Sequence, residues 1–580
     1  MADKIKIMLL GGSREGGKNM FAVQVNDEIF VLDAGLMYPD SSLLGIDVVI
    51  PDLDFFKEYG DRIKGIFLTH GHADAVGALP FILREQRFPI YGSKLTIALA
   101  KIFIQRENKR VNNKLFHEVD AQTVLHFKHA AISFFSTTHS LPNSLGIDVA
   151  TSAGEIVYTG HFKLDPSARK GYQTDMVRLA EIGQKGVLAL LSDSINDESA
   201  FANASERDIE DYIKDVFINQ TRRIIVAAKV SNITRMQEIF NAAHKAGRKV
   251  ILTGRDVNRI VKTVMKLGYL KVPKGLLAYE KDLKELAPEQ TLILETGRMG
   301  EPLQSLQRMA TNRHQTIKIQ KGDLVFIATT PSHSVETMGA QTSDMIYRAG
   351  GSVIQLGQQK HISGHATGKD LQLLITTLRP KYLFPVLGEY HQMDIHKQLA
   401  LAAGMDKEHV LLGKNGDCYL YEKGAFHLTD PVPGNATMID GSGVGDVGNI
   451  VLRDREVLSD DGVFIAVVTI DRKKKKIIAE PEVTTRGFVY IKQNRELLQE
   501  AVESVKKSIK NNFAHKKFDW SELKSDVRHD LEKLLYKKTG SRPVVMPVIM
   551  EVNQNRHRGS KKKQAAAKEA VKQGAKKGRK

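Results

Sequence analysis

Across 580 residues there is a single cysteine, Cys418. One cysteine cannot form an internal disulfide or a cysteine-rich metal site, so any metal must rest on histidine and carboxylates. Such cysteine usage suits a reducing cytoplasm. No run of about 18 consecutive apolar residues occurs, which argues against a membrane span. The lysine-flanked apolar stretch Met1–Leu10 is too short for a signal segment and has no small-residue cleavage site; it reads as a first strand. No internal repeat is found. The glycine-rich run Gly441-Ser442-Gly443-Val444-Gly445-Asp446-Val447-Gly448 lacks the Lys-Ser/Thr pair that a phosphate-cradling loop requires.

What is present is ordinary bulk and an excess of positive charge. Hydrophobic residues make up 42% and charged residues 26%, enough for sizeable cores, and the length favours several domains. The formal net charge is +17, of which the segment Arg556–Lys580 carries +10 and the rest +7. A basic body together with a basic tail suits a polyanion, RNA or DNA, through phosphate contacts and counterion release. A merely solubilising cationic surface is the plain alternative.

The N-terminal part mixes short strands with loops: Ile5–Leu10, a hairpin of Phe21–Val25 and Ile29–Asp33, Gly65–Thr69, Ala131–Phe135 and Ile156–Tyr158. From about Glu206, helix and strand alternate. Helices Glu206–Phe217 and Arg235–Ala246 are interleaved with strands Arg223–Ala227, Lys249–Leu252, Leu292–Leu294, Leu324–Ile327 and Ser352–Ile354. That is the pattern of βαβ units on a mostly parallel sheet. Helix Lys369–Thr377 and strand Tyr382–Val386 follow. Asp430–Asn449, rich in Pro and Gly, reads as a linker. Beyond it, strands Val463–Ile470, Lys476–Glu480 and Val544–Glu551 with helices Arg495–Asn511 and Trp520–Lys537 read as a compact α+β domain. Arg556–Lys580 has almost nothing to bury and is expected to be disordered when free.

The sharpest local signal is Leu68-Thr69-His70-Gly71-His72-Ala73-Asp74-Ala75. Two imidazoles and a carboxylate at alternate positions after an apolar strand can reach one metal centre. The pattern resembles the HxHxDH signature of the metallo-β-lactamase superfamily, with Ala75 in place of the last histidine. Asp33 in Val31-Leu32-Asp33-Ala34-Gly35 resembles the superfamily's first motif. Thr137-Thr138-His139-Ser140 resembles the third. Tyr158-Thr159-Gly160-His161-Phe162-Lys163 resembles the fourth, with His161 where an Asp is usual. Leu190-Leu191-Ser192-Asp193-Ser194 and His361-Ile362-Ser363-Gly364-His365 resemble β-CASP motifs of the nucleic-acid-processing branch. Pro385-Val386-Leu387-Gly388-Glu389-Tyr390 resembles PVHGEY, with Leu387 replacing His. The glycine-rich run, Thr485–Tyr490, Arg542-Pro543 and Pro547–Glu551 resemble a C-terminal linker and domain. Together these identify the chain as similar to the ribonuclease J family from about Lys6 to Glu551, and to the degenerate second paralogue that some bacteria keep beside a fully equipped ribonuclease J.

The resemblance implies an α/β fold: a metallo-β-lactamase αββα sandwich with an inserted β-CASP parallel-sheet domain and a small α+β C-terminal domain. The expected boundaries are 1–205 and 352–430 for the metallo-β-lactamase domain, 206–351 for β-CASP, 431–452 for a linker, 453–555 for the C-terminal association domain and 556–580 for the basic tail. It also implies one metal held by His70, His72 and His139 with a bridge at His161. A second would need Asp74, Ala75 and Leu387. Methyl and isobutyl groups donate nothing to a metal, so the second site is expected to fail. His161 could close a four-imidazole zinc shell, fill its loop position without ligating, or leave a place for an activated water.

Asp74 and His365 are the catalytic candidates. Ser231, Asn232, His361, Ile362, Ser363, Gly364 and His365 are the candidates for holding substrate phosphates, although Ser-Asn before a helix is also a common N-cap. Lys229 and Thr234 depart from the family pattern there. Gly45, Asp47 and Asp440 are implied oxygen ligands of a structural calcium. The expectation is about one Zn²⁺ per chain, with Mn²⁺ as the alternative, and RNA as the substrate. The expected partner is a second copy or an active ribonuclease J, within an RNA degradation complex and away from membranes. Three functions are compared: a 5′ to 3′ exonuclease and endonuclease, a weakly active partner subunit, and a small-molecule hydrolase. The insertion from Glu206 to Gly351 and the basic body argue against the last.

Overall fold

The computed structural model describes residues 3–39, 43–107, 112–169, 172–196, 198, 204–254, 256–296, 302–329, 336–360, 362–441, 443–444, 449–489, 494–515 and 518–552. Two compact units result: Met1–Asp40 with Ile46–Asp446, and Ser41–Gly45 with Val447–Lys580.

In the first unit two sheets face each other. One runs, in spatial order, Ala425–Leu428, Cys418–Glu422, Ile5–Gly11, Met20–Val25, Glu28–Leu32, Ile63–Phe67, Ile90–Gly92 and Phe116–Glu118. The other runs Tyr382–Val386, Val187–Asp193, Gly154–Tyr158, Ser144–Thr151, Ala131–Thr137 and Val124–His126. Their inner faces meet in one core that includes Phe21, Phe30, Phe134, Ile147, Tyr158, Leu191 and Phe384. The outer face of the first sheet is covered by Lys94–Arg106 and its neighbours, that of the second by Met176–Lys185 and Gly368–Leu378. Strands buried on both faces read as near-continuous apolar runs, which is why MFAVQV and VLALLSD are buried throughout. The expected αββα sandwich is present.

A third, wholly parallel sheet has the order Leu277–Ala278, Lys249–Thr253, Thr291–Glu295, Ile224–Ala227, Leu324–Ile327, Ser352–Gln355. Helices Glu206–Ile218 and Ile233–Lys245 cover one face, and Pro302–Ala310 and Glu336–Arg348 lie beside the other. The sequence reading counts Ser352–Ile354 among the strands of this sheet but sets the domain boundary at 351/352, just before it. The strand runs Ser352–Gln355, and its ladder with Leu324–Ile327 puts it on the edge of the inserted sheet, past that boundary.

The linker expectation also changes. Thr437–Asp440 pairs antiparallel with Val48–Ile50, Ile439 is buried, and a helix starts at Asn449 and runs to Asp460. The segment is therefore partly built into the first unit. In the second unit, Val463–Asp471 lies between Lys476–Arg486 and Val544–Glu551. One face packs on helices Arg495–Ala514 and Trp520–Thr539. Lys476–Arg486 runs past Pro481, further than expected, because an edge strand tolerates a missing donor. The basic tail from Arg556 lies outside the described residues.

Candidate metal centre

The C-terminal ends of strands Glu28–Leu32, Ile63–Phe67, Ala131–Thr137, Gly154–Tyr158, Val187–Asp193 and Tyr382–Val386 deliver the polar residues of the site. Asp33 follows the first of these at φ 61° and is fully buried. It accepts from the Thr69 backbone N–H at 2.8 Å, from the Thr69 hydroxyl and from the Tyr158 hydroxyl at 2.8 Å. Burial dominates these bonds and pushes the Asp33 carboxyl up to about 7. With the Thr69 hydroxyl donating to Asp33, its oxygen is left to accept from His70 Nδ1 at 2.9 Å. That fixes the ring and leaves Nε2 with its lone pair. His70 Nε2 is buried and has no hydrogen-bond partner.

His139 is set in the same way: Nδ1 donates to the Gly364 carbonyl at 2.8 Å, which turns Nε2 inward. His72 sits at the start of the short helix Ala73–Val76, with Nδ1 3.1 Å from His139 Nε2 and Nε2 3.3 Å from the Ser140 hydroxyl. One donor atom from each of His70, His72 and His139 lies within 4.8 Å of the others. Burial and then mutual proximity hold His70 and His139 well below the usual imidazole range. Burial, only partly offset by Asp74, lowers His72 to about 4. Three neutral rings, with an orphaned nitrogen among them and outer partners fixing two tautomers, fit a zinc ion, whose imidazole bonds are about 2.0–2.1 Å.

The second position is different. Ala75 and Leu387 are both fully buried among hydrocarbon side chains. Asp74 is present, with Oδ1 3.8 Å from His70 Nε2, but its other oxygen lies 2.7 Å from His161 Nε2. His161 Nδ1 lies 3.0 Å from Asp193 Oδ2, and the same oxygen is 2.7 Å from His365 Nδ1. Burial alone would lower His161, but Asp193 and Asp74 outweigh it and raise the ring to about 10. Burial would raise Asp74 and Asp193. Hydrogen bonding and charge from His161 hold Asp74 well below the carboxylate range, and the charges of His365 and then His161 lower Asp193. The residues therefore fit one metal and do not fit the second.

Two members of this arrangement are absent from the sequence-based site. Asp193 stands out in the sequence only as part of the Leu190–Ser194 motif. Asn19 gave no signal, yet its Nδ2 lies 3.2 Å from both Asp74 Oδ2 and His161 Nε2. His161 joins Asp74 and His70 in one possible metal group and Asp193 and His365 in another. The group of His70, His72 and His139 does not include it.

Of the phosphate candidates, Ser231 comes against His72 through a backbone hydrogen bond, and the Lys229 charge also acts on that ring. The Asn232 side chain caps Ile233–Lys245 by accepting from Arg235 N–H at 2.9 Å, so the N-cap role is real. The Ser363 hydroxyl accepts from His365 N–H at 3.1 Å, Gly364 abuts His139, and Ile362 packs against the core of the inserted sheet. His361 lies outside the described residues. Of the calcium set, Asp47 accepts from Gly441 N–H at 2.8 Å, and Gly45 belongs to the second compact unit.

Known proteins share this architecture across nearly the whole chain. Residues 49–184 match a beta-lactamase superfamily domain and 354–411 a Zn-dependent metallo-hydrolase RNA specificity domain. Residues 221–337 match the ribonuclease J beta-CASP domain and 450–552 the ribonuclease J C-terminal domain. Ribonuclease J 2 of Streptococcus pyogenes serotype M3 is 49% identical over 93% of this chain and 98% of that protein. The chain belongs to the ribonuclease J family. Ribonuclease J 2 proteins of Staphylococcus epidermidis and Staphylococcus aureus are each 42% identical over 93% of the chain and 97% of their own length. A solved structure of a protein of unknown function from Enterococcus faecalis V583 shares the fold at TM-score 0.50 and 16% identity, covering 72% of this chain and 100% of that one. Family membership and the second-paralogue resemblance stand together with the substituted metal positions.

Proposed function

We propose that this chain is a ribonuclease J-type RNA-processing subunit that holds one zinc ion, cleaves phosphodiester bonds weakly and acts mainly as the partner of a fully equipped ribonuclease J in the cytoplasm. The observation that carries this reading is the contrast within one site. The His70, His72 and His139 cluster is complete with its outer partners, while Ala75 and Leu387 present only buried hydrocarbon.

A zinc ion on the three histidines would supply Lewis acidity at a phosphate oxygen. The chain's own groups do the remaining work. Ser231, whose backbone reaches His72, and Lys229, whose charge acts on that ring, are suited to a phosphate of the RNA. Ser363 and Gly364 bring their loop against His139. His365 is partly exposed and oriented by Asp193, which suits it to hold or move a proton at a leaving oxygen. Asp74, engaged by His161, is not available as the usual carboxylate of a two-metal site. Association has support in the second unit. On the sheet face away from its helices, Met546, Val548 and Met550 are 46%, 43% and 48% exposed, an apolar strip suited to another protein. Among the described residues no helix is long and apolar enough to cross a membrane.

The alternative, a fully active manganese- or zinc-dependent 5′ to 3′ exonuclease and endonuclease, is favoured by the intact three-histidine cluster alone. The test is degradation of 5′-monophosphate RNA by the pure protein, by a His70→Ala control, and by the protein mixed with an active ribonuclease J. The expected result is slow cleavage above the control and an altered cleavage pattern in the mixture. Cleavage no faster than the control, with a mixture identical to the active enzyme alone, would overturn the proposal.

A further inference from the structure

A fold that keeps the approach to a second metal ion but not its ligands has to do something with the carboxylates that remain. Asp74 and Asp193 both point into this space, and Asp193 is 1% exposed. Asp74 is partly exposed, with 27% of its side chain accessible, but two ionised carboxylates drawn to one ring still repel, and neither can donate a hydrogen bond to the other. In a two-metal site a cation resolves this. Here the His161 ring touches both, 2.7 Å from one and 3.0 Å from the other, through opposite nitrogens.

We propose that His161 replaces the second metal ion as an internal cross-link, donating from both ring nitrogens to Asp74 and Asp193. With both carboxylates ionised, each can only accept, so the ring must donate from both nitrogens to hold them at these distances. A ring that donates twice carries one positive charge, the same sign as the ion it replaces. The surroundings agree. Asn19 Nδ2 lies 3.2 Å from both the same Asp74 oxygen and His161 Nε2; with Nε2 itself a donor, the amide donates to the carboxylate. His365 Nδ1, 2.7 Å from Asp193 Oδ2, extends the chain of contacts to the loop that carries Gly364. Leu387 and Ala75, the other two positions a second ion would need, are buried hydrocarbon and offer an ion nothing in place of the ring. His161 is thus a positioning residue: it holds Asp74 beside the three-histidine cluster and Asp193 beside His365 without a second ion.

The test uses the full chain. Melting is followed in chelator and with Mn²⁺ for the wild type and for His161→Asp, His161→Asn and His161→Gln. The cross-link predicts that all three variants melt below the wild type in chelator. Only His161→Asp, which adds a third carboxylate, is restored by Mn²⁺, taking up one ion more than the wild type. In wild-type protein with ¹⁵N-labelled histidine, the signal lost in His161→Gln should show hydrogen on both ring nitrogens. A wild type that binds a second ion, lost in His161→Gln, would make the ring a ligand and overturn the proposal. So would a His161→Gln variant that melts like the wild type in chelator. If a variant fails to fold, the count of Mn²⁺ ions on the wild type still decides. The proposal rests on the one-metal reading above, but its melting arm is run in chelator. Absence of zinc from the three-histidine cluster would therefore sink that reading and leave this one standing.

Discussion

His139 Nδ1 donates to the Gly364 carbonyl at 2.8 Å, so the loop proposed to meet substrate also aims a ring of the metal cluster. A methyl group at Gly364 would lie 3.1 Å from His139 Cε1 and 3.2 Å from its Nδ1. The ring would have to move, and with it the orientation of Nε2. Gly364→Ala is therefore expected to weaken zinc retention about 10–100-fold, the usual cost of losing an outer partner of a metal-holding histidine. Competition against a chromophoric chelator measures it. Unchanged retention would mean that the ring accommodates the methyl group without losing its aim.

Leu387 is fully buried yet sits at φ 57°, a conformation costly for a branched side chain. Its backbone N–H is held by the Gly12 carbonyl at 2.7 Å, so the turn persists where a histidine is usual. Truncating the side chain should destabilise by about 2–5 kcal/mol. Glycine should be the better of the two truncations here, by about 1 kcal/mol, because it relieves the left-handed strain. Urea unfolding of Leu387→Ala and Leu387→Gly checks the order. The reverse order would mean that the turn stores no strain.

Zinc should stabilise the fold as well as serve chemistry. An ion bound only by the folded chain adds about 2.7 kcal/mol at a free concentration 100 times its Kd. The melting midpoint should rise with zinc in the wild type and stay flat in His72→Ala, which removes one of the three converging donors. Equal zinc responses from both proteins would place the ion elsewhere.

Much of this was legible from the chain alone. Buried strands announce themselves as apolar runs, and the histidines follow them at short, fixed offsets. Thr437–Asp440 was hidden because four residues among prolines and glycines carry no periodicity, and only the pairing with Val48–Ile50 makes them a strand. Asn19 was hidden because a lone amide in a glycine-rich loop has no signature. It reaches Asp74 only after the chain has folded across 55 positions. The partners of His161 are hidden for the same reason. The ring's partners are two carboxylates, Asp74 in the short helix Ala73–Val76 and Asp193 at the end of Val187–Asp193, and spacing along the sequence does not encode them.

The strand at Thr437–Asp440 also changes where the chain can be cut. Val432 and Ile439 are buried in the first unit. Ending the chain after Asp430 removes both and leaves Val48–Ile50 without this partner. Burying such side chains contributes about 1.5–3 kcal/mol each. A fragment ending at Asp446 should therefore be more stable than one ending at Asp430 by about 3 kcal/mol or more. Chemical unfolding of the two fragments compares them directly, and equal stabilities would show that the pairing adds nothing.

A pH dependence of stability should arise far from the metal cluster. Asp148 is 1% exposed and accepts from the Ser133 hydroxyl at 2.9 Å. Burial first, and then the neighbouring charge of Glu155, push its carboxyl up to about 7 from a usual value of 3.8. A carboxyl whose folded value is raised favours the fold in its protonated form. Its contribution is complete below about pH 4 and is lost as pH rises through about 7. Asp148→Asn keeps the shape and cannot ionise. The stability difference between variant and wild type, from urea unfolding at several pH values between 4 and 8, should shift in favour of the variant as pH rises. A difference that stays constant across that range would mean that Asp148 is ionised in the folded chain throughout.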